Sequence, residues 1–344
     1  MISIRVTDKP NDKITMELLK YAVISLVAIL VFLSFPHIAF AQQSNVTSPI
    51  VKGYYADPTI IKDKGVFYIY ATIDPWGAKE LGVLATKDFI NFTTEHINWP
   101  TKAACTSPTS NGSMVWAPSI RKAVNNKFYM YVAVGSEIWV GVSDKPLGPW
   151  KNAKSDNTPL IAGNRYPGVH NIDPDCFIDN NGQAYLYWGS GFNWINGHCM
   201  AVKLKKDMIT FDGEPVDITP PHYFEAPHMV KRNNTYYLMY SYGKAIDATY
   251  QIRYATSKTP FGPWTEGKYD PILSTSADSL TTGPGHHTVF NQNGQYYILY
   301  HRIHPQNKEY VLRELCLDSL NFDHDGNILK IKPATLNSLI INTP

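Results

Sequence analysis

The sequence predicts an all-β chain folded as a single-domain five-bladed β-propeller, and three observations carry the prediction. A motif recurs five times: DPTIIKDKGVFYIYAT from Asp57, APSIRKAVNNKFYMYVA from Ala117, DPDCFIDNNGQAYLYWG from Asp173, APHMVKRNNTYYLMYS from Ala226 and HHTVFNQNGQYYILYHR from His286. With Pro58, Pro118, Pro174, Pro227 and His287 as equivalent positions, the copies lie 60, 56, 53 and 60 residues apart, a period on the scale of one propeller blade. Each copy is a short apolar strand, a polar turn rich in Asn, Asp and Gly, and an aromatic-rich strand, which is the signature of a β-hairpin. Helical periodicity is almost missing, so four strands per copy and five copies describe blades around a hub. A pair of sandwiches would explain the strands but not the period.

The elements follow in order. Lys20, the apolar run Tyr21 to Phe35, and the small-residue pattern Ala39, Phe40, Ala41 read as a signal peptide over residues 1–41 cleaved after Ala41, with Met16 as an alternative start and a retained anchor as the rival reading. Residues 42–49 read as a linker and 50–344 as the propeller. The segments ATKDFINF and KKDMITFD occupy the same place in copies one and three. Copies two and four end in near-identical corners, SDKPLGPW (143–150) and SKTPFGPW (257–264). The stretch from about Asn321 is expected to close the ring.

Composition narrows the partners. The hydrophobic share is 44%, the charged share 17% and the formal net charge +2, and no basic block points to nucleic acid. The 22 Tyr, 14 Phe and 8 Trp suit strands and also supply flat faces on which sugar rings stack. Four cysteines are too few for a disulfide scaffold at this length and lack metal-ligand spacing; Cys176 with Cys199 is the candidate pair if a bridge forms. No G-x-S-x-G, H-E-x-x-H, phosphate loop or dinucleotide fingerprint occurs, so no organic cofactor is implied. A monomer is expected, free of the membrane once the leader is removed.

In a propeller the innermost strands converge on one channel mouth, so equivalent positions become neighbours. Asp57, Asp173 and Glu225 are thereby expected to face one another in blades one, three and four, with Asp175 turned away. Asp before Pro is common in turns, but a carboxylate such as Glu225 between apolar residues at a strand start is costly unless hydrogen bonded or used. Three converging carboxylates suit glycoside hydrolysis: an acid of raised pKa protonates the leaving oxygen, an ionised carboxylate activates water, and a third orients the acid. Tyr54, Trp76 and Trp116 are candidates for sugar stacking. The segments Trp99 to Val115 and Ser190 to His198 are expected to wall the mouth, which favours a pocket and exo action.

YYADPT around Asp57, WAPS from Trp116, NIDPDCFIDNNG around Asp173, EAPHMVKRNNTYYLMYS from Glu225 and GPGHHTVF from Gly283 resemble, in order and at blade spacing, the successive signatures of glycoside hydrolase family 43. The resemblance implies an inverting glycosidase acting on an oligosaccharide or polysaccharide: β-xylosides, α-L-arabinofuranosides or arabinans, with galactans or galactofuranosides as alternatives. It implies Asp57 as general base, Glu225 as general acid and Asp173 as modulator of the acid. It further implies a calcium or other ion in the channel near His286, not needed for the chemistry, and Arg302 as a donor to substrate hydroxyls, while His287 is expected to pack. The rival classes are a non-catalytic carbohydrate-binding propeller and the related five-bladed fructan-active hydrolases.

Overall fold

The computed structural model describes residues 42–343, apart from 111, 113, 306–310 and 334–338; residues 1–41, read above as a signal peptide, lie outside the described residues. Strand β1 (Gln42–Val46) opens the described chain. Blade one follows as β2 (Tyr55–Asp63), β3 (Val66–Ile73), β4 (Gly82–Thr86) and β5 (Phe92–Glu95). Blade two is β6 (Val115–Lys122), β7 (Phe128–Val134), β8 (Ile138–Ser143) and β9 (Lys151–Asn152). Blade three is β10 (Asp175–Ile178), β11 (Ala184–Trp188), β12 (Met200–Leu204) and β13 (Val216–Asp217). Blade four is β14 (Glu225–Arg232), β15 (Thr235–Tyr242), β16 (Gln251–Ser257) and β17 (Thr265–Glu266). Blade five is β18 (Thr282–Gln292), β19 (Gln295–Ile303) and β20 (Arg313–Leu320), before β21 (Leu339–Thr343). Every blade is an antiparallel meander in chain order, and the five blades form the expected propeller.

The hairpin turns have the expected chemistry. Asn126, Asn233 and Asn293 take left-handed φ values of 62°, 54° and 54° between the first two strands of blades two, four and five, a conformation that asparagine tolerates better than most residues. The aromatic second strands then feed five separate cores, one at each junction between neighbouring blades. Tyrosines on those strands also reach across: the hydroxyls of Tyr70, Tyr131 and Tyr187 donate to the Pro146, Met208 and Pro260 carbonyls of the next blade at 2.6, 2.6 and 3.0 Å. Pro146 and Pro260 are the matching positions of the two repeated corners, so that repeat marks the place where one blade is latched to the previous one.

Four expectations need correction. Blade five has three strands, and the linker contains a strand: β1 pairs antiparallel with β21, Gln42 opposite Thr343. The polar run QQSNVTSP gives no alternation, but Val46 and Ile50 are buried with Ile341 in the core between blades five and one. Ser48 and Ile50 lie along β20, the Ile50 N–H donating to the Leu315 carbonyl at 2.9 Å and the Leu317 N–H to Ser48 Oγ at 3.1 Å. Closure of the ring is thus shared between the two ends of the described chain, while Asn321 to Ile331 packs instead at the junction of blades four and five, where Ile328 is buried. The Cys176–Cys199 bridge does not exist, for all four cysteines are free and buried. Cys176 belongs to the core between blades two and three and Cys199 to that between three and four, opposite sides of one sheet.

Candidate active site

The innermost strands are not regular, and the irregularity builds the site. The ladders of blades one, two, four and five each skip near the strand start, between Ala56 and Thr59, Trp116 and Ser119, Glu225 and His228, and across Thr282, Gly285 and Thr288. At the skip, and in blade three just before β10 begins, one non-glycine residue per blade is left-handed: Asp57 (φ 52°), Ala117 (44°), Asp173 (57°), Ala226 (56°) and His286 (38°). Each such residue costs about 1–2 kcal/mol, and strain of this kind persists only where the surroundings over-determine it. Here a neighbouring blade captures the N–H that the bulge frees. Asp57 donates to His301 Nδ1 (3.2 Å), Ala117 to Thr72 Oγ1 (3.0 Å), Ala226 to Asp173 Oδ2 (3.2 Å) and His286 to Ser241 Oγ (2.9 Å).

The bulge presents two adjacent residues to the mouth. A cavity of about 320 Å³ is lined by Asp57, Asp173 and His286 from the left-handed position and by Trp116, Ile172 and Glu225 from the position before it. The three predicted carboxylates therefore share one cavity, but Glu225 stands one residue earlier than a matching position would place it. Asp175, expected to turn away, sits one layer deeper as a buried inter-blade acceptor: it takes hydrogen bonds from Ser119 Oγ (3.1 Å), Arg121 Nη2 (3.0 Å) and the Met229 N–H (2.9 Å).

The environments of the three carboxylates differ in sign. Burial alone would raise Asp57, but the Arg313 guanidinium, His286 and His301 outweigh it and hold the group well below the usual carboxylate range; Arg313 Nη1 is 3.1 Å and His286 Nδ1 3.2 Å from Asp57 Oδ1. Burial and the charges of Glu225 and Asp57 push Asp173 well above its ordinary value. Glu225 is raised by burial to about 7, against the hydrogen bonds from Tyr250 and Ser190 and with help from the Asp57 charge. Those bonds, Tyr250 Oη to Glu225 Oε1 at 2.7 Å and Ser190 Oγ to Oε2 at 3.1 Å, fix the plane of the carboxyl. One carboxylate is kept ionised and a neighbouring pair is made to hold a proton, the separation of roles that acid–base chemistry needs.

The other predicted site residues divide. Trp76, Trp116 and His286 line the cavity, and the Trp116 indole N–H donates to the Trp76 carbonyl at 2.8 Å. Tyr54 does not; its ring packs edge-on against His304 with centroids 5.3 Å apart. Arg302 is also displaced from its expected role, because its guanidinium is buried against Glu314 (2.8 and 2.7 Å) and the Leu280 carbonyl (2.8 Å). His287 packs as expected, buried and edge-on to His228 at 5.6 Å. The ion expected near His286, held largely through water, is not shown: among the described residues no three His, Cys, Asp or Glu side chains converge as direct metal ligands would. Burial moves the His286 imidazole down to about 4, against the Asp57 charge beside it. Of the two expected walls, Ser190 to Trp194 lines the cavity, whereas none of the described residues of the Trp99 to Val115 segment does. That segment is drawn away by the buried carboxylate of Glu137, which accepts from both Ser107 and Thr109.

Sequence reasoning missed the residues that act on the carboxylates. Arg313, at the start of β20, is the arginine of the site, and Asp74 grips it through its backbone N–H (2.8 Å), Nε (2.9 Å) and Nη2 (2.7 Å). The available signal was a second Asp-Pro, Asp74-Pro75, placed just past the aromatic strand of blade one. Since removing one partner of a buried pair typically costs about 3–5 kcal/mol, Asp74→Ala is expected to lower stability by that order in urea unfolding; a loss under about 1 kcal/mol would show that Asp57 alone suffices to hold Arg313.

Comparison with known proteins gives the chain a family. A family model for glycosyl hydrolases family 43 matches residues 46–328. The β-D-galactofuranosidase xynD of Aspergillus niger is 32% identical over 300 residues, covering 83% of this chain and 84% of that protein. The arabinoxylan arabinofuranohydrolase of Bacillus subtilis is 30% identical over 306 residues, 76% of this chain, which spans only 58% of that longer protein. Among solved structures, an α-L-arabinofuranosidase from Clostridium thermocellum superposes with a TM-score of 0.66 at 30% identity, over 86% of this chain and 97% of that one. A match along nearly the whole described chain, carried by a propeller whose hub collects three carboxylates, leads to one conclusion: the chain belongs to glycosyl hydrolases family 43 and is a glycosidase.

Proposed function

We propose that the protein is an exported, inverting, exo-acting furanosidase that removes terminal α-L-arabinofuranosyl or β-D-galactofuranosyl units from plant-type polysaccharides or their oligosaccharides. The observation that carries the mechanism is the opposite electrostatic treatment of Asp57 and Glu225 in one cavity. Asp57, ionised beside Arg313, takes a proton from water as the water attacks the anomeric carbon. Glu225 gives its proton to the departing glycosidic oxygen, and the carbon inverts because the water enters opposite the leaving group. Asp173, buried beside Glu225 and raised by burial and by the charges of Glu225 and Asp57, forms with the acid a pair that holds a proton, and it anchors the Glu225 strand by accepting from the Ala226 N–H.

The choice of sugar is supported by the relatives, one named a β-D-galactofuranosidase and another an α-L-arabinofuranosidase. The two furanosides share the configuration of every ring carbon and differ by one exocyclic CHOH, so a single hub can recognise both. β-Xyloside hydrolysis is the alternative within the same mechanism. Export is supported by the apolar run Tyr21 to Phe35 and the Ala39–Ala41 pattern. Initial rates on nitrophenyl α-L-arabinofuranoside, β-D-galactofuranoside and β-D-xyloside decide the sugar, and NMR of the first-formed anomer decides the stereochemistry; retention of configuration would overturn the role of Asp57.

The pH profile follows in sign. Activity requires Asp57 ionised and Glu225 protonated. It is therefore expected to persist to pH values below the ordinary carboxylate range and to fall as pH rises through about 7. That limb belongs to the Asp173–Glu225 pair rather than to either residue. A kcat/KM profile still rising above pH 8 would contradict the assignment of the acid.

A further inference from the structure

The loop between β11 and β12 is built more tightly than a connection needs. Phe192 and Ile195 bridge to each other, and Asn193, Trp194 and Asn196 are all left-handed, at 55°, 63° and 53°. A Cβ on Gly191 would fall 1.9 Å from the Ile195 carbonyl oxygen, and one on Gly197 would fall 2.3 Å from that of Phe224, so the loop is pressed onto itself and onto the residue before Glu225. Left-handed φ is an outlier for a bulky side chain such as tryptophan, and such outliers cluster at ligand clamps. No apolar core claims Trp194. Its ring lies 5.7 Å from that of Phe224 and lines the catalytic cavity. Phe192 stacks on His170 at 4.9 Å, His170 is pinned by Ser136 Oγ at 2.8 Å, and half of the Phe192 surface, 50%, stays exposed.

The position of this loop relative to the acid gives it a meaning. Ser190, where the loop leaves the sheet, donates to Glu225 Oε2. A general acid must touch the oxygen that departs, so whatever that oxygen is attached to extends from Glu225 along its neighbours. The base side is furnished separately: Trp76, also left-handed at 58°, lies beneath Arg313 with the guanidinium 5.7 Å from its ring centre.

We propose that Trp194 and Phe192 form a binding platform for the leaving-group sugar, the first ring beyond the scissile bond of an oligosaccharide. The platform uses the apolar C–H face of that ring against two aromatic faces, and its loop ties recognition of the leaving sugar to the seat of the acid through Ser190. This rests on Glu225 being the general acid.

The test compares two substrates with the same terminal sugar, a furano-oligosaccharide and the methyl furanoside, which has no second ring to stack. Trp194→Ala and Phe192→Ala in the full chain are expected to lower kcat/KM on the oligosaccharide about tenfold more than on the methyl furanoside, as lost ring stacking would. Trp194→Phe should restore most of the oligosaccharide rate, which a merely misfolded loop would not allow. Equal losses on both substrates would reduce the loop to a support for Glu225 and overturn the platform, and so would unchanged rates on both. A wild-type protein inactive on both would instead overturn the furanosidase reading and the platform with it.

Discussion

Glu225→Gln should lower turnover on an oligosaccharide by about 10²–10⁴, the usual contribution of a positioned acid. The amide is close to isosteric, and the hydroxyls of Tyr250 and Ser190 can rotate to meet it, so the cavity should stay intact and the loss should fall on chemistry. What disappears is the one proton held next to the departing oxygen, on a carboxyl that burial keeps protonated to about pH 7. The defect should depend on the leaving group. Nitrophenolate departs with little protonation, so the nitrophenyl glycoside should lose far less than the oligosaccharide. Equal losses on the two substrates, or a loss under about tenfold on the oligosaccharide, would remove Glu225 from the role of acid. A carbohydrate-binding propeller without catalysis would show no turnover to lose.

Asp57→Asn should cost a comparable factor, about 10²–10⁴, with the opposite signature. An amide cannot take the proton from water, whatever leaves on the other side, so nitrophenyl glycoside and oligosaccharide should suffer alike. The acid limb of the pH profile should vanish as well, because the group whose ionisation defines it has gone. Arg313 keeps its fork on Asp74, so the fold should survive the loss of one of its two carboxylate partners. Kinetics on both substrates, with an unfolding curve as control, separate this outcome from collapse of the hub. A variant that keeps half its wild-type rate would mean that another group activates the water.

The fold was legible because a propeller repeats its inner hairpin, and repetition survives in turn residues and aromatic strands even when outer strands are short. The missing fourth strand of blade five was not legible, since the repeat shows only the inner hairpin, and the segment from the other end of the chain that lies along β20, Ser48 to Ile50, leaves no mark in the period. Nor was the bulge, which carries no residue signature: Asp, Ala, Asp, Ala and His occupy it in turn. That is why Asp57 and Asp173 align while Glu225 falls one place short, though all three reach the same cavity. The arginine was misassigned for a related reason. Arg302 and Arg313 lie at the same end of neighbouring strands, with Arg302 opposite Glu314 and Arg313 opposite Ile303. A shift of one residue exchanges the two faces of a strand, and nothing in LYHR or VLRE says which face looks inward. Charged partners decide it: Glu314 takes one arginine and Asp74 the other.

The pairing of Gln42 with Thr343 means that position along the polymer and position around the hub are independent. The backbone could be spliced at that seam and cut open in an outward turn, such as Asn180–Gly182, without moving a single catalytic side chain. A permuted enzyme made in this way would read its carboxylates in the order Glu225, Asp57, Asp173, yet present the substrate with the same ring. Order in the gene is, for this molecule, only one of several ways to walk around a circle.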